Sequence, residues 1–267
     1  MAGKRMAALA VGMAALGAGS VVVAQGGFRV DTDAGASLRC PGGMARLSHV
    51  FDENASVFPG DPETEIEIIT TIENDGYLVE RVTTGSHTGT HLDAPGHFVE
   101  GGRTVDELLA TDLVWPTYVI DVRDRMARVD DDAFQLTVND IKRYERKQGR
   151  IPAGAMVIIR TGFEDRFGTD AYFDPAPGFS GDAVQWMVDQ RDIGGVGSDT
   201  LGPDATSDED FAATFTILDN DRVALPDLAG LDALQAKGDI LMTGAVKLRD
   251  GSAYQVDPLA CLGRSHR

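Results

Sequence analysis

Two short apolar runs, Tyr118-Val119-Ile120-Asp121-Val122 and Met156-Val157-Ile158-Ile159, flank a stretch with a different period, and this alternation most limits the folds open to the chain. Between them Thr137 is placed to cap a helix reaching about Gln148. Val138, Ile141 and Tyr144 recur there every third residue, and Gly149 ends it. A second helix is predicted after Ser180, with Val184, Met187 and Val188 on one face. Ile193 to Val196, the stretch Leu228–Leu234 and Ile240-Leu241-Met242 continue the strand–helix–strand alternation. Earlier, Glu65-Ile66-Glu67-Ile68 alternates with period two, Asn74-Asp75-Gly76 has turn chemistry, and Tyr77 to Thr84 reads as a returning strand. An early hairpin followed by β/α units predicts a single α/β (α+β) domain. The 267 residues, 43% of them hydrophobic and 25% charged, suit one globular unit with a full core.

The ends read differently. Lys4-Arg5, the uncharged run Met6 to Val23 and the small-residue sequence Val22-Val23-Ala24 predict a signal peptide over 1–24, and hence a secreted or periplasmic protein. An uncleaved anchor is the other reading, because the apolar run approaches the roughly 20 residues a membrane helix needs. Residues 25–43, rich in Gly, Asp and Ser, read as a flexible lead-in, and 44–267 as the domain. The formal charge of −18 disfavours nucleic acid and anionic membrane surfaces as partners, so no stable membrane association is expected after cleavage. Export also bears on the two cysteines. Cys40 and Cys261 either form a disulfide between the ends of the domain or are two unpaired thiols, and they lack the spacing of a zinc-thiolate or C-x-x-C site.

Three of the five histidines fall within Ser86-His87-Thr88-Gly89-Thr90-His91-Leu92-Asp93-Ala94-Pro95-Gly96-His97. Thr88, Gly89, Thr90, Pro95 and Gly96 all oppose a helix. If His91–Asp93 is extended, its first and third side chains share a face. His87, one tight turn earlier, can then complete a His-His-Asp set for Zn²⁺, Mn²⁺ or Fe²⁺, leaving positions for water. His97, beyond Pro95, is placed to act as acid or base.

The run His87 to Phe98 resembles the signature of the cyclase-type metal-dependent hydrolases, a family that includes bacterial kynurenine formamidase (arylformamidase) and isatin hydrolase. Leu47-Ser48-His49, Phe58-Pro59-Gly60-Asp61-Pro62, Arg160-Thr161-Gly162, Gly197-Ser198-Asp199-Thr200 and Leu228-Ala229-Gly230-Leu231 are similar to its other motifs. The resemblance implies a swivelling β/β/α-type fold. It implies metal ligation by His87, His91 and Asp93, proton transfer by His97, and a substrate pocket lined by Phe58. Two-metal members carry a further histidine and glutamate where this chain has Thr214 and Pro226, and neither suits as a ligand, so one divalent ion (Zn or Mn) is expected and a second is doubtful. Single-ion members recruit a polar ligand from the preceding loop, where Asp204, Asp208, Glu209 and Asp210 are the oxygen candidates, Asp204 and Asp208 first among them.

The expected function is that of an exported metal-dependent hydrolase. It would cleave a C–N or C–O bond of a small amide, lactam, lactone or formamide by metal-activated water. The alternatives are an arylformamidase in the strict sense, acting on N-formylkynurenine, and a non-catalytic metal- or ligand-binding relative. The partner implied is a small-molecule substrate, and a homo-oligomer is open, since family members are often dimers or tetramers. Gly178-Phe179-Ser180-Gly181-Asp182 misses the last glycine of a nucleophile elbow, and Asp130-Asp131-Asp132 lacks the spacing of a calcium loop.

Overall fold

The computed structural model of the chain describes residues 28–31, 37–129 and 133–264. The leader assigned to 1–24 and the Asp130–Asp132 run lie outside the described residues.

A nine-stranded sheet organises the domain. Its parallel centre is made by β7 (Val114–Asp121), β8 (Met156–Arg160), β9 (Gly195–Ser198) and β10 (Val223–Leu225), adjacent in that order. Three helices make the crossovers: α1 (Val138–Gln148), α2 (Gly181–Arg191) and α3 (Ala212–Asp219). Antiparallel strands extend the sheet both ways. Beyond β10 come β6 (His91–Asp93) and β12 (Ala253–Gln255). Beyond β7 come β11 (Lys237–Met242), β13 (Leu259–Leu262) and β3 (Gly43–Arg46).

Strand β8 shows why this arrangement holds. All five residues are buried, and the period of two sends Val157 and Ile159 to one face, Met156 and Ile158 to the other. The first pair packs under the helices with Ile141, Val184, Met187 and Ile217. The second pair belongs to a core that joins Leu92 of β6 to Ala45 of β3, near opposite ends of the strand order, so the sheet curls around it.

Both predicted helix starts are present. Thr137 precedes α1 and its backbone N–H donates to Asp140, while the Ser180 hydroxyl accepts from Ala183 N at 3.2 Å. The predicted hairpin is β4 (Glu65–Thr70) with β5 (Val79–Thr83), joined through a short helical turn at Ile72–Asp75. It stands apart as its own two-stranded sheet, and Ile68, Ile72, Tyr77 and Val82 on it are more than half exposed.

Two readings change. Within the expected lead-in, β1 (Phe28–Asp31) pairs with β2 (Ser37–Cys40), and Cys40 is disulfide-bonded to Cys261 with Cα atoms 5.0 Å apart. The boundary at 44 therefore falls inside strand β3. The stretch Leu228–Leu234 holds only a 3₁₀ turn at Leu231–Ala233, because backbone bonds from Leu228 N to Ser198 and Ala229 N to Leu47 keep its start extended. Among the described residues no helix is long and apolar enough to cross a membrane.

Candidate metal-dependent active site

Strand β6 is three residues long and paired on both sides, so His91 and Asp93 project together from one face while Leu92 enters the core on the other. Both polar side chains are buried. The turn before the strand delivers His87. Gly89 takes φ +65° there, a left-handed conformation that suits glycine, and aims its carbonyl back at His91. Gln255 on β12 holds the turn by donating to the Gly85 and Thr88 carbonyls. After the strand, a 3₁₀ turn over Pro95–His97 folds the His97 ring onto His87, with centroids 3.9 Å apart.

Asp93 is the hub. Its Oδ1 lies 2.9 Å from His87 Nδ1 and 3.2 Å from His91 Nε2. The other nitrogen of each ring is engaged elsewhere. His91 Nδ1 meets the Gly89 carbonyl at 2.6 Å, and His87 Nε2 meets Ser252 Oγ at 2.9 Å. A carbonyl only accepts, so Nδ1 of His91 carries a proton, and Nε2, which faces Asp93, is the nitrogen left to ligate an ion that displaces its own proton. Donors bound about 2.1 Å from one ion stand about 3.0–3.4 Å apart at ordinary coordination angles. The 3.2 Å distance at Asp93 lies within that spacing and the 2.9 Å distance just below it, and the donor set of imidazoles with a carboxylate is one that divalent transition metals take. These residues fit a metal ion. One donor atom each of His87, Asp93 and His97 lies within 4.8 Å of the other two, and His91, outside that trio, joins it through Asp93.

Electrostatics reinforce the picture. Burial alone would hold the His91 ring neutral, but Asp93, and behind it Asp227, more than offset this and raise its pKa to about 9. Burial would likewise raise Asp93, yet the His91 and His87 rings hold its carboxyl well below the usual range. His97 is shifted down, by burial of its ring first and by the neighbouring histidines, with Asp93 opposing.

An aromatic path leads outward. His97 meets Phe98 edge-on at 4.6 Å, Phe98 meets Phe211 at 6.1 Å, and Phe211 meets Phe58 at 5.9 Å. Phe58, named from sequence, thus reaches the histidines through two rings that sequence reasoning did not single out.

The loop candidates lie elsewhere. Asp204 caps α3: it accepts from Ala213 N at 2.6 Å, from Thr214 N and from the Thr214 hydroxyl. Asp208 accepts from Asp210 N. Neither is brought into the histidine group, and the Thr214 hydroxyl is taken up by Asp204. Pro226, by contrast, directly precedes Asp227, a fully buried carboxylate 3.7 Å from His91 Nδ1. Asp227, its partner Tyr172 and Ser252 escaped sequence reasoning. A substitution where a ligand was expected, one residue before an aspartate, was the available signal for the first. The motifs around Arg160 and Asp199 lock two strand ends together, since Asp199 accepts from Thr161 N, Thr161 Oγ1 and Gly162 N.

Comparison with known proteins agrees with this geometry. Residues 45–205 match the family described as "Putative cyclase". An isatin hydrolase from Roseibium aggregatum is 33% identical over 222 residues, covering 76% of this chain and 83% of that protein. A kynurenine formamidase from Bacillus anthracis is 25% identical over 168 residues, or 62% and 73% of the two chains. Among solved structures, an isatin hydrolase bound to the product analogue thioisatinate superposes with a TM-score of 0.75 at 30% identity, over 81% of this chain and 91% of that one. An isatin hydrolase A from Ralstonia solanacearum gives 0.74 at 27% identity, over 81% and 90%. The chain belongs to the cyclase family of metal-dependent hydrolases.

Proposed function

We propose that the protein is an exported single-metal hydrolase of small aromatic amides, lactams or related esters. The observation that carries this reading is the convergence of His87 Nδ1 and His91 Nε2 on one oxygen of Asp93, with the His97 ring packed beside them. His87, His91 and Asp93 would hold the ion, which when bound polarises a carbonyl and lowers the pKa of water. The Gly89 carbonyl and Ser252 keep the two ligand rings oriented. His97, at the mouth of the site, takes a proton from water and returns it to the leaving nitrogen or oxygen. Phe98, Phe211 and Phe58 offer edges and faces to a planar ring in the substrate. The occupied Thr214 hydroxyl and Pro226 favour one ion over two. Arylformamidase activity in the strict sense and a non-catalytic relative remain the competing readings.

Export is part of the proposal, supported by the leader-like sequence and by the Cys40–Cys261 pairing, which suits an oxidising compartment. So is self-association, supported by the freestanding hairpin with its exposed Ile68, Ile72, Tyr77 and Val82, since an isolated two-stranded hairpin is marginal in water. Ile68→Lys should lower the mass measured by light scattering; an unchanged oligomer would exclude the hairpin.

One observation favours a second chemistry. Ser252 Oγ, His87 and Asp93 are joined in the order of a nucleophile, base and orienting acid. The deciding experiment is metal content and turnover, on a panel of amides, lactams and lactones, of the wild type beside Asp93→Ala and Ser252→Ala. The metal reading expects about one Zn or Mn per chain, lost with turnover in Asp93→Ala and largely kept in Ser252→Ala. Turnover that survives chelation but vanishes in Ser252→Ala would replace it with serine catalysis.

A further inference from the structure

The second ring nitrogen of His91 faces a second buried carboxylate. Asp227 follows β10 directly after Pro226 and is 1% exposed. Its backbone is left-handed, φ +55°, an unfavourable conformation for a non-glycine residue that the surroundings must impose. Those surroundings are specific. Its N–H donates to Thr200 O at 2.9 Å, its carbonyl accepts from the Thr90 hydroxyl, and its Oδ1 accepts from Tyr172 Oη at 2.5 Å. Tyr172 is itself buried, within the 3₁₀ turn Asp170–Phe173. The remaining oxygen, Oδ2, lies 3.7 Å from His91 Nδ1. Among the described residues His91 is the one basic side chain within ion-pair distance of Asp227.

A carboxylate removed from water without Lys or Arg is costly, and this one is fixed by three contacts so that its free oxygen points at one imidazole nitrogen. That nitrogen is the proton-bearing one, because it donates to the Gly89 carbonyl. The Gly89 carbonyl accepts the Nδ1–H, and the Asp227 carboxylate lies behind it at ion-pair distance, leaving Nε2 directed at Asp93.

We propose that Asp227, held by Tyr172, is a positioning residue that fixes the tautomer of His91 and increases its strength as a metal ligand. The inference rests on the reading of His91 as a ligand. Carboxylates behind ligating histidines act in this way, and their loss commonly weakens metal affinity about 10–100-fold.

The test is the equilibrium affinity of the full chain for Zn²⁺ alone, measured by competition with a chromophoric chelator. Wild type would be compared with Asp227→Asn, Tyr172→Phe and His91→Ala. Asp227→Asn should bind Zn²⁺ about 10–100-fold more weakly and Tyr172→Phe several-fold more weakly, with His91→Ala the worst. Normal affinity in Asp227→Asn beside a loss in His91→Ala would overturn the positioning role and leave the metal site intact. Normal affinity in His91→Ala would remove the ligand assignment and the inference with it. Where Asp227→Asn does not fold, Tyr172→Phe decides, since it deletes one hydroxyl and keeps the carboxylate; unchanged affinity there overturns the proposal. Nitrogen chemical shifts of the Zn²⁺-loaded protein add a readout that loss of packing alone would not move. Ligation through Nε2 with Nδ1–H retained is expected in wild type and a mixture of Nδ1 and Nε2 ligation in Asp227→Asn, and unaltered pure Nε2 ligation counts against the role.

Discussion

The His97 imidazole lies against that of His87, with ring centroids 3.9 Å apart and planes tilted by 31°. The contact sets the third histidine beside the ligand group while its surface stays open to solvent. A proton carrier needs that access, whereas a ligand does not. His97→Ala should lower kcat by about 10²–10⁴-fold, the usual worth of a positioned acid–base group, with metal content unchanged. Loss of the metal with the activity would instead make His97 a ligand, as its closeness to His87 and Asp93 permits.

Phe211 bridges Phe58 and Phe98, meeting both rings edge-on. Edge-to-face pairs contribute about 0.5–1.5 kcal/mol each, so a planar substrate inserted along this path gains binding from the rings more than chemistry. Phe211→Ala should raise KM for an aromatic amide roughly three- to ten-fold with kcat little changed, and leave KM for an aliphatic amide unaffected. Steady-state kinetics on matched aromatic and aliphatic substrates would test this, and equal effects on both would remove the path from substrate binding.

How much of this could be read from the chain depends on where each signal is stored. The group around Asp93 was legible because its members lie within eleven consecutive residues and a strand puts alternate residues on one face. Helices α1 and α2 were legible because Thr137 and Ser180 sit directly before them. Helix α3 was not, since its first N–H groups are met by Asp204, nine residues before Ala213. Asp227, Tyr172 and Ser252 come from separate segments. Ser252 is 165 residues from His87 and Asp227 is 137 from Thr90, and only the strand order brings them together. The 25–43 segment misled because its Gly and Asp content hides a four-residue alternation, Ser37-Leu38-Arg39-Cys40, whose cysteine is paired 221 residues away.

That pairing ties the β1–β2 hairpin to β13, beside the end of the chain. Closing so long a loop restricts the unfolded chain, and removing such a bond typically costs about 2–5 kcal/mol. A Cys40→Ala/Cys261→Ala double variant should melt at a lower temperature and exchange amide hydrogens faster over residues 28–31 and 37–40, with metal affinity unchanged. Identical melting would show that strand pairing alone holds the hairpin.

His49 offers a prediction about acid. Its ring stacks on Phe167 with centroids 3.8 Å apart, its Nε2 is buried with no hydrogen-bond partner, and burial lowers its pKa from 6.5 to about 4. Below the ordinary histidine value the unfolded chain takes up a proton here that the folded chain refuses. The unfolded state therefore binds more protons, and stability falls as pH drops from about 6.5 toward 4. Partial exposure of the ring limits the contribution to a few kcal/mol at most. His49→Gln cannot titrate, so the stability difference between wild type and variant should favour wild type most near pH 7.5 and shrink on going to pH 4.5. Denaturant midpoints across that range measure it with every other titrating group held in common, and a difference independent of pH would mean that His49 takes up its proton without disturbing the fold.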